Sequence, residues 1–331
     1  MKSFEVLGIG NAIVDVLGAT DDSFLHAKAI IKGAMNLIDE PRAEDLYASM
    51  SEAVIISGGS AANTMVGIAN LGVSAAYIGK VKADAVGAVL THDLRKTGVA
   101  FDVPAATQGP ASARSFIFVT PDGERSMNTY LGACQNLAPE DIEPALVQGS
   151  AITYLEGYLW DKPAAKQAFL KASHIAHAAG NRVAITLSDS FCVERFRSEF
   201  LELIRSKTVD IVFANEAELT SLYETRNFDE ALRAVASEHV LAVVTRSELG
   251  AIVLDGNESW SVPAFPIDAL VDSTGAGDLF AAGFLAGLVR GRSHEFSARL
   301  GALAAAEVIQ HLGARPQSDL RALSLQHGLG L

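Results

Sequence analysis

The sequence predicts an α/β protein: a mostly parallel sheet with helices on both faces and a small β element above it. Three observations carry this expectation. From about residue 150, short apolar runs alternate with stretches of helical spacing, the rhythm of a βαβ chain. The apolar runs are nearly continuous, the mark of strands covered on both faces. A glycine-rich segment, Asp272-Ser273-Thr274-Gly275-Ala276-Gly277-Asp278, then opens a late helix.

Taken in order, Phe4–Ile9 reads as the first strand and Ser60–Leu71 as a helix, with Ala62, Val66, Ile68 and Ala69 available for packing. Ser115–Val119 and Ser126–Tyr130 flank Thr120-Pro121-Asp122-Gly123-Glu124. This is strand, turn, strand, with Asp-Gly as the turn signal. A hairpin that interrupts an α/β chain tends to protrude, so the segments near 11–18, 30–39 and 112–130 are expected to form a small β lid within one domain spanning 1–331. Strands follow at Ala151–Leu155, Val183–Leu187, Asp210–Ala214 and Leu241–Thr245. Helical spacing fills Lys162–Ala179, Cys192–Ser206, Asn215–Tyr223 and Asp229–Ser237. Beyond Gly277, Phe280, Phe284 and Leu288 fall at i, i+4 and i+8, which predicts a helix with one apolar face. Ligands of such sheets bind beyond the carboxyl ends of the strands, so the loops there should hold the chemistry.

Bulk properties narrow the class. The 331 residues are 49% hydrophobic and 20% charged, a globular mix able to bury a large core. A net charge of −13 argues against a general nucleic-acid surface. Cys134 and Cys192 supply neither a disulfide framework nor a zinc set and suit a reducing compartment. The segment Met1–Val6 has no signal-peptide core, and no apolar run approaches the ~18 residues of a membrane span. The expectation is a cytoplasmic protein, monomer or homodimer, that binds small molecules.

Several positions admit a chemical and a structural reading side by side. Gly275, Ala276 and Gly277 leave backbone N–H groups bare at a helix start, where the dipole favours anions; Asp278 beside them would accept a proton from an attacking hydroxyl. Gly and Asp are also ordinary residues of helix starts. Asn11 and Asp15 either cap local backbone or grip two sugar hydroxyls. Gly58-Gly59-Ser60-Ala61-Ala62-Asn63 is a capped loop, or a site where backbone approaches a ligand and Asn63 reads it. Asn215 and Glu218 form an ordinary acidic helix start, or Glu218 holds Mg²⁺ through water. Thr245–Gly250 is a polar turn, or a loop whose Arg246 meets phosphates. Gly8-Ile9-Gly10 fails as a dinucleotide motif because the third glycine would fall at Ile13, and no P-loop or protein-kinase catalytic loop is present. The scattered histidines form no metal motif.

Together, the early Asn11/Asp15 pair, Gly58-Gly59 with Asn63, Asn215-x-x-Glu218 and the Asp272–Asp278 block, in this order, resemble the PfkB (ribokinase-like) family of sugar and nucleoside kinases, from about residue 4 to 318. The resemblance implies a three-layer α/β/α fold with a small β lid and ATP with Mg²⁺ as cosubstrate and metal. It implies Asp278 as catalytic base and Gly275, Ala276 and Gly277 as the anion hole. Asn215 and Glu218 would serve Mg²⁺ and phosphate, with Thr245, Gly250 and Thr274 beside the nucleotide. Ala306 to Gly313 would flank the adenine. Some members use K⁺, held near Asp272 and Thr274 and by carbonyls around Gly313. Gly10-Asn11-Ala12-Ile13-Val14-Asp15 is similar to the opening of the adenosine-kinase branch, in which Asn11 and Asp15 would hold the ribose and Ile13 the base. Gly59, Ser60 and Asn63 would add ribose contacts, and Phe191 resembles an aromatic that stacks on the purine. The implied activity is transfer of the γ-phosphoryl group to a ribose 5′-hydroxyl. Ribose, fructose or a keto-deoxy acid as acceptor, and a silent nucleoside-binding protein, are the competing expectations. One departure stands out: Thr245-Arg246-Ser247 where the family often has Thr-x-Gly.

Overall fold

The structure, a computed structural model, describes residues 4–50, 53–122 and 124–331. Gly123 of the Asp-Gly turn and Met1 to Ser3 lie outside the described residues. Thirteen strands among the described residues form two sheets. The large sheet is built from β1 (Phe4–Ile9), β5 (Ala75–Ile78), β8 (Ser150–Glu156), β9 (Arg182–Thr186), β10 (Ile211–Asn215), β11 (Leu241–Thr245), β12 (Ala251–Asp255) and β13 (Glu258–Val262). Its order is β13-β12-β11-β10-β9-β8-β1-β5, parallel from β5 to β11 and antiparallel at β12 and β13. The chain runs outward from β1 to β5 and later outward the other way from β8. The junction of β1 and β8 is therefore the point where winding reverses, the place where α/β sheets bind ligands.

Alternate side chains of each strand point to opposite faces. Val6, Tyr77, Ile152, Tyr154, Phe213 and Val243 pack against the helices Ser60–Asn70, Ala276–Val289 and His294–Val308. Leu7, Ile9, Ile78, Leu155, Ile185 and Val212 pack against Pro163–Ala178, Ser190–Arg205 and Glu216–Leu222. Helices thus cover both faces, and the layers are α/β/α. The sequence-predicted strands of this half fall within a residue or two of their place. The late helix departs from expectation: Leu279 to Leu288 are all buried, not one face alone. It lies between the sheet and two other helices, so no face remains for water.

The second sheet has order β3-β7-β6-β2-β4, from β2 (Ile13–Ala19), β3 (Met35–Leu37), β4 (Val54–Ser57), β6 (Ala113–Val119) and β7 (Arg125–Tyr130). The segments near 11–18, 30–39 and 112–130 supply four of these strands; β4, an edge strand, had not been singled out. One face of this sheet packs Val16, Phe116, Phe118 and Tyr130 onto Leu25, Ala43 and Leu46 of two short helices. The other face turns Asp15, Ser115, Ile117, Met127 and Thr129 toward the strand ends of the large sheet. The cleft lies between.

The pair Ala276–Val289 and His294–Val308 supplies Phe280, Ala302 and Ala306 to that cleft. A Cβ placed on Gly283 would lie 2.6 Å from backbone atoms of Gly301. Helix propensity alone favours Gly→Ala by about 1 kcal/mol, but overpacking opposes it by about 1–3 kcal/mol. Because the obstacle is backbone, overpacking wins. Gly283→Ala is expected to lower unfolding free energy by up to about 2 kcal/mol in urea denaturation, and a gain in stability would refute this packing.

Candidate active site

Most residues singled out from the sequence, from Asn11, Ile13 and Asp15 to Gly275–Asp278, border one cavity of about 1140 Å³ between the two sheets; Gly58, Arg246, Asp272 and Gly313 do not. That exceeds the usual ~300–1,000 Å³ of a single ligand site and leaves room for two molecules end to end.

At its centre the helix Ala276–Val289 begins. Gly275 stands before it in the left-handed region at φ 82°, and no side chain caps the helix. A Cβ on Gly275 would come within 2.7 Å of Ala314, whereas one on Gly277 would meet nothing within 4 Å. Gly275 is therefore demanded by fold, and Gly277 faces open cavity. Ala276 N–H donates to Ser273 O at 3.2 Å, and the N–H groups of Gly277 and Asp278 have no side-chain cap, which leaves them open to an anion.

Asp278 sits in the same first turn. Ser60 Oγ donates to its Oδ1 at 2.6 Å, and Asn63 Nδ2 donates to its Oδ2 at 3.1 Å. Burial pushes its pKa up to about 6, while these two hydrogen bonds pull the other way. Ser60 does not cap its own helix: Gly59, at φ 90°, holds the cap position, and the serine hydroxyl turns to Asp278 instead. The carboxylate is thus desolvated, oriented from both oxygens and ionised at neutral pH, the state of a general base.

A second buried carboxylate, Glu156 at the end of β8, was not found from sequence. Asn11 donates to its Oε1 from N–H and Nδ2, at 3.3 and 2.7 Å, and Ala61 N–H donates to Oε2 at 2.9 Å. Burial pushes Glu156 up to about 7, against these donors. It joins the end of β1 to the helix that carries Ser60 and Asn63. The available signal was a lone carboxylate closing an apolar strand at its carboxyl end.

Asp15, on β2, faces the cleft and accepts no hydrogen bond among the described residues. Burial raises it to about 7, opposed by the charges of Arg125 and Arg315. A local capping role is thereby removed. Ile13 lies beside it, nearly buried. Phe191 is exposed at the cavity rim, with the Arg195 guanidinium 5.5 Å from its ring centroid.

On the far side, Asn215 and Glu218 cap their helix reciprocally. Asn215 Oδ1 accepts from Glu218 N–H, and Glu218 accepts from Asn215 N–H and Nδ2. The structural explanation of this pair holds locally, yet both border the cavity. Burial, with the charge of Asp189, raises Glu218 to about 7. Thr245 and Gly250 line the same side. Ser247 occupies the left-handed region at φ 50°, a conformation that costs a residue with a Cβ about 1–2 kcal/mol. That is the cost of the departure from Thr-x-Gly. Arg246 is bound to Glu216 at 2.9 Å and lies over the Phe228 ring, so it is not turned to phosphates.

Thr274 and Asp272 are tied to the second sheet. Arg125, at the start of β7, pairs with Asp272 and donates to Thr274 Oγ1 at 3.0 Å. Asp272 also accepts from Thr274 N–H and Oγ1 and from Gly313 N–H. A guanidinium already stands where the resemblance puts K⁺, and both oxygens of Asp272 are engaged. These residues do not fit that ion.

Such a fold, with a carboxylate beside a helix start that no side chain caps, defines a phosphotransferase with an alcohol acceptor, of ribokinase-like three-layer architecture. The chain belongs to the pfkB family of carbohydrate kinases, whose model matches residues 34–320. It is similar along its whole length to the solved adenosine kinase of Sinorhizobium meliloti, at 56% identity and TM-score 0.92 over 99% of this chain and 100% of that one. A probable sugar kinase of Rhizobium etli gives 54% identity and TM-score 0.93 over the same shares. An ATP-dependent ribose-1-phosphate kinase of Halopiger xanaduensis is 31% identical over 229 residues, 69% of this chain and 72% of that protein. No helix of the described residues is long and apolar enough to cross a membrane.

Asp15 separates stability from function. Its raised pKa means the folded protein binds a proton more tightly than the unfolded chain, so the penalty grows as pH rises through about 7. Asp15→Asn is expected to raise unfolding free energy by roughly 1–3 kcal/mol at pH 8. The gain should fade as pH falls toward 4, while the acceptor KM rises. Denaturation curves at the two pH values, with steady-state kinetics, test both; a gain independent of pH would refute the assignment.

Proposed function

We propose that this protein is an ATP-dependent nucleoside kinase, with adenosine as the acceptor that fits best and its 5′-hydroxyl as the nucleophile. The observation that carries the proposal is the pairing of two surfaces at one end of the cavity. Asn11, Asp15 and Asn63 offer fixed polar groups near Asp278. Ile13, Ile117, Met127, Leu131 and Phe191 offer apolar and aromatic faces beyond them. A ribose suits the first surface and a flat base the second. A free sugar would leave the apolar faces bare. The S. meliloti adenosine kinase at 56% identity supports the same choice. The R. etli relative's name keeps a sugar acceptor as the alternative.

In this mechanism Asp278 takes the proton of the 5′-hydroxyl as that oxygen forms its bond to the γ-phosphorus. The bond to the bridging oxygen breaks and ADP leaves. Gly277 and its neighbours hold the phosphoryl oxygens by backbone N–H. Ala305, Ala306, Ile309 and Phe265 give the far end an apolar wall suited to the adenine of ATP. Glu218 and Asp189, two carboxylates facing this space, fit a Mg²⁺ that keeps most of its waters. No group of three or more ligating side chains gathers among the described residues, so phosphate oxygens would complete its shell. When bound, the metal supplies charge neutralisation of the phosphates. The second sheet is proposed to exclude water from the attack.

Asp278→Asn should lower kcat by at least ~10², the usual worth of a positioned base; near-normal turnover would remove Asp278 from this role. A panel of adenosine, other nucleosides, ribose, fructose and 2-keto-3-deoxygluconate, read by ADP release, tests the acceptor. Adenosine should give the highest kcat/KM. A free sugar in that place would transfer the assignment to the sugar kinases.

A further inference from the structure

Arg315 lies outside the mechanism above, yet the loop that carries it touches the mechanism at three points. Gly313 N–H donates to Asp272 at 2.9 Å. Ala314 fills the space where a Cβ on Gly275 would have to sit. Arg315 Nε donates to Asn63 Oδ1 at 3.3 Å, across 252 residues of sequence. The side chain is half-buried, and that burial pushes its pKa below the usual arginine value, while the charges of Asp93 and Asp15 resist. Its Nη2 is buried with no partner among the described residues. A guanidinium kept there at such cost serves something other than its own hydrogen bonding.

The chemistry of an amide shows what that is. Asn63 has a donor end and an acceptor end, and either could face Asp278. Arginine can only donate. Its contact with Oδ1 therefore fixes the amide, and the nitrogen must turn to Asp278 Oδ2. The reversed amide would set a carbonyl oxygen against a carboxylate.

We propose that Arg315 is a positioning residue for phosphoryl transfer: by holding the Asn63 amide oxygen it turns the amide nitrogen onto Asp278 and keeps that carboxylate an acceptor aimed into the cleft. The inference rests on Asp278 as the base. Ser60 and Asn63 face Asp278 from one helix, Tyr154 and Glu156 from β8, Tyr158 from just beyond it, and Asp15 from β2. Arg125 and Arg315 act on Asp15 as well, so a test must separate the path through Asn63 from the general field.

The experiment measures the acid limb of the kcat–pH profile, with adenosine and ATP, for the full chain and for Arg315→Met, Asn63→Ala, their double variant and Ser60→Ala. Loss of a donor to Asp278 disfavours its ionised form, so the limb moves to higher pH. Arg315→Met should move it up by about half to one unit, roughly a threefold to tenfold change in the proton affinity. KM for ATP should stay within about twofold, and in the Asn63→Ala background the same change should have no further effect, the mark of a shared path. If the methionine variant does not fold, Arg315→Gln serves, because glutamine does not dictate which end of Asn63 it meets; its limb should move the same way by less. An unmoved limb at Arg315 while Ser60→Ala moves it overturns the proposal and leaves the base assignment standing. A shift that survives undiminished without Asn63 also overturns it. No movement in any variant, Ser60→Ala included, overturns the base assignment and the proposal with it.

Discussion

The structure depends on one electrostatic constraint: carboxylates from two strands and two helices converge on a single cleft. Asp15, Glu156, Glu218 and Asp278 stand within it, and burial holds each at about 6 to 7. A buried carboxylate without partners is expensive enough that it would rather take up a proton. Three of them are met by hydrogen-bond donors and Asp15 by the charges of Arg125 and Arg315 alone, and the fold can be understood as the means of bringing these groups in. Ser60 and Asn63 come on one helix, Asn11 on the loop after β1, and Asn215 at a helix cap. Two guanidinia, Arg125 and Arg315, come from segments that are not neighbours of anything they serve.

That arrangement couples parts that topology keeps apart. Arg125 begins a strand of the small sheet and meets Asp272 just before the anion cradle. Arg315 lies on the loop behind the cradle and meets the helix that follows Gly59. Glu156 ties β1 to that same helix. The start of the helix Ala276–Val289 is thus held from in front, from behind and from the side, while no side chain caps it and, among the N–H groups of Ala276, Gly277 and Asp278, only that of Ala276 is engaged, by Ser273 O at 3.2 Å. A serine or asparagine cap would have satisfied those groups locally and closed the site. Gly275 in a left-handed conformation keeps it open, and Ala314 pressed against that glycine shows why no larger residue stands there.

The large sheet was legible because its signals are local. Strands β8 to β11 are apolar runs bounded by helical spacing, and burial on both faces leaves no alternation to misread. Strands β4 and β5 were not legible: Val54–Ser57 and Ala75–Ile78 are four residues each, too short for any period to emerge. The complete burial of Leu279 to Leu288 was missed because small residues, Ala281, Ala282, Gly283 and Gly287, carry no strong apolar signal while permitting the closest packing. The cleft divides the same way. Residues bearing a motif, from Asn11 to Asp278, could be picked out because their chemistry is written in a few consecutive letters. Glu156, Arg125 and Arg315 could not, since their contacts span 95 to 252 residues and arise only when the chain has folded.

The division between chemistry and selectivity follows from this geometry. In the proposed mechanism Asp278 would accept a proton from any hydroxyl placed beside it and the helix start would hold any γ-phosphoryl group, so neither would distinguish a nucleoside from a sugar. Discrimination must come from what lies beyond the reacting hydroxyl. There the small sheet contributes Ile117 from β6 and Met127 from β7, the strand that also carries Arg125, while the rim contributes Phe191 beneath Arg195. An apolar wall rejects a small polar sugar only weakly, because one buried methylene is worth about 1 kcal/mol. Many such contacts must act together, as a base spread across several side chains allows. A relative that kept every residue around Asp278 and replaced these few faces would keep the reaction and change its acceptor. Proteins this similar in fold can therefore bear the names of both adenosine and sugar kinases.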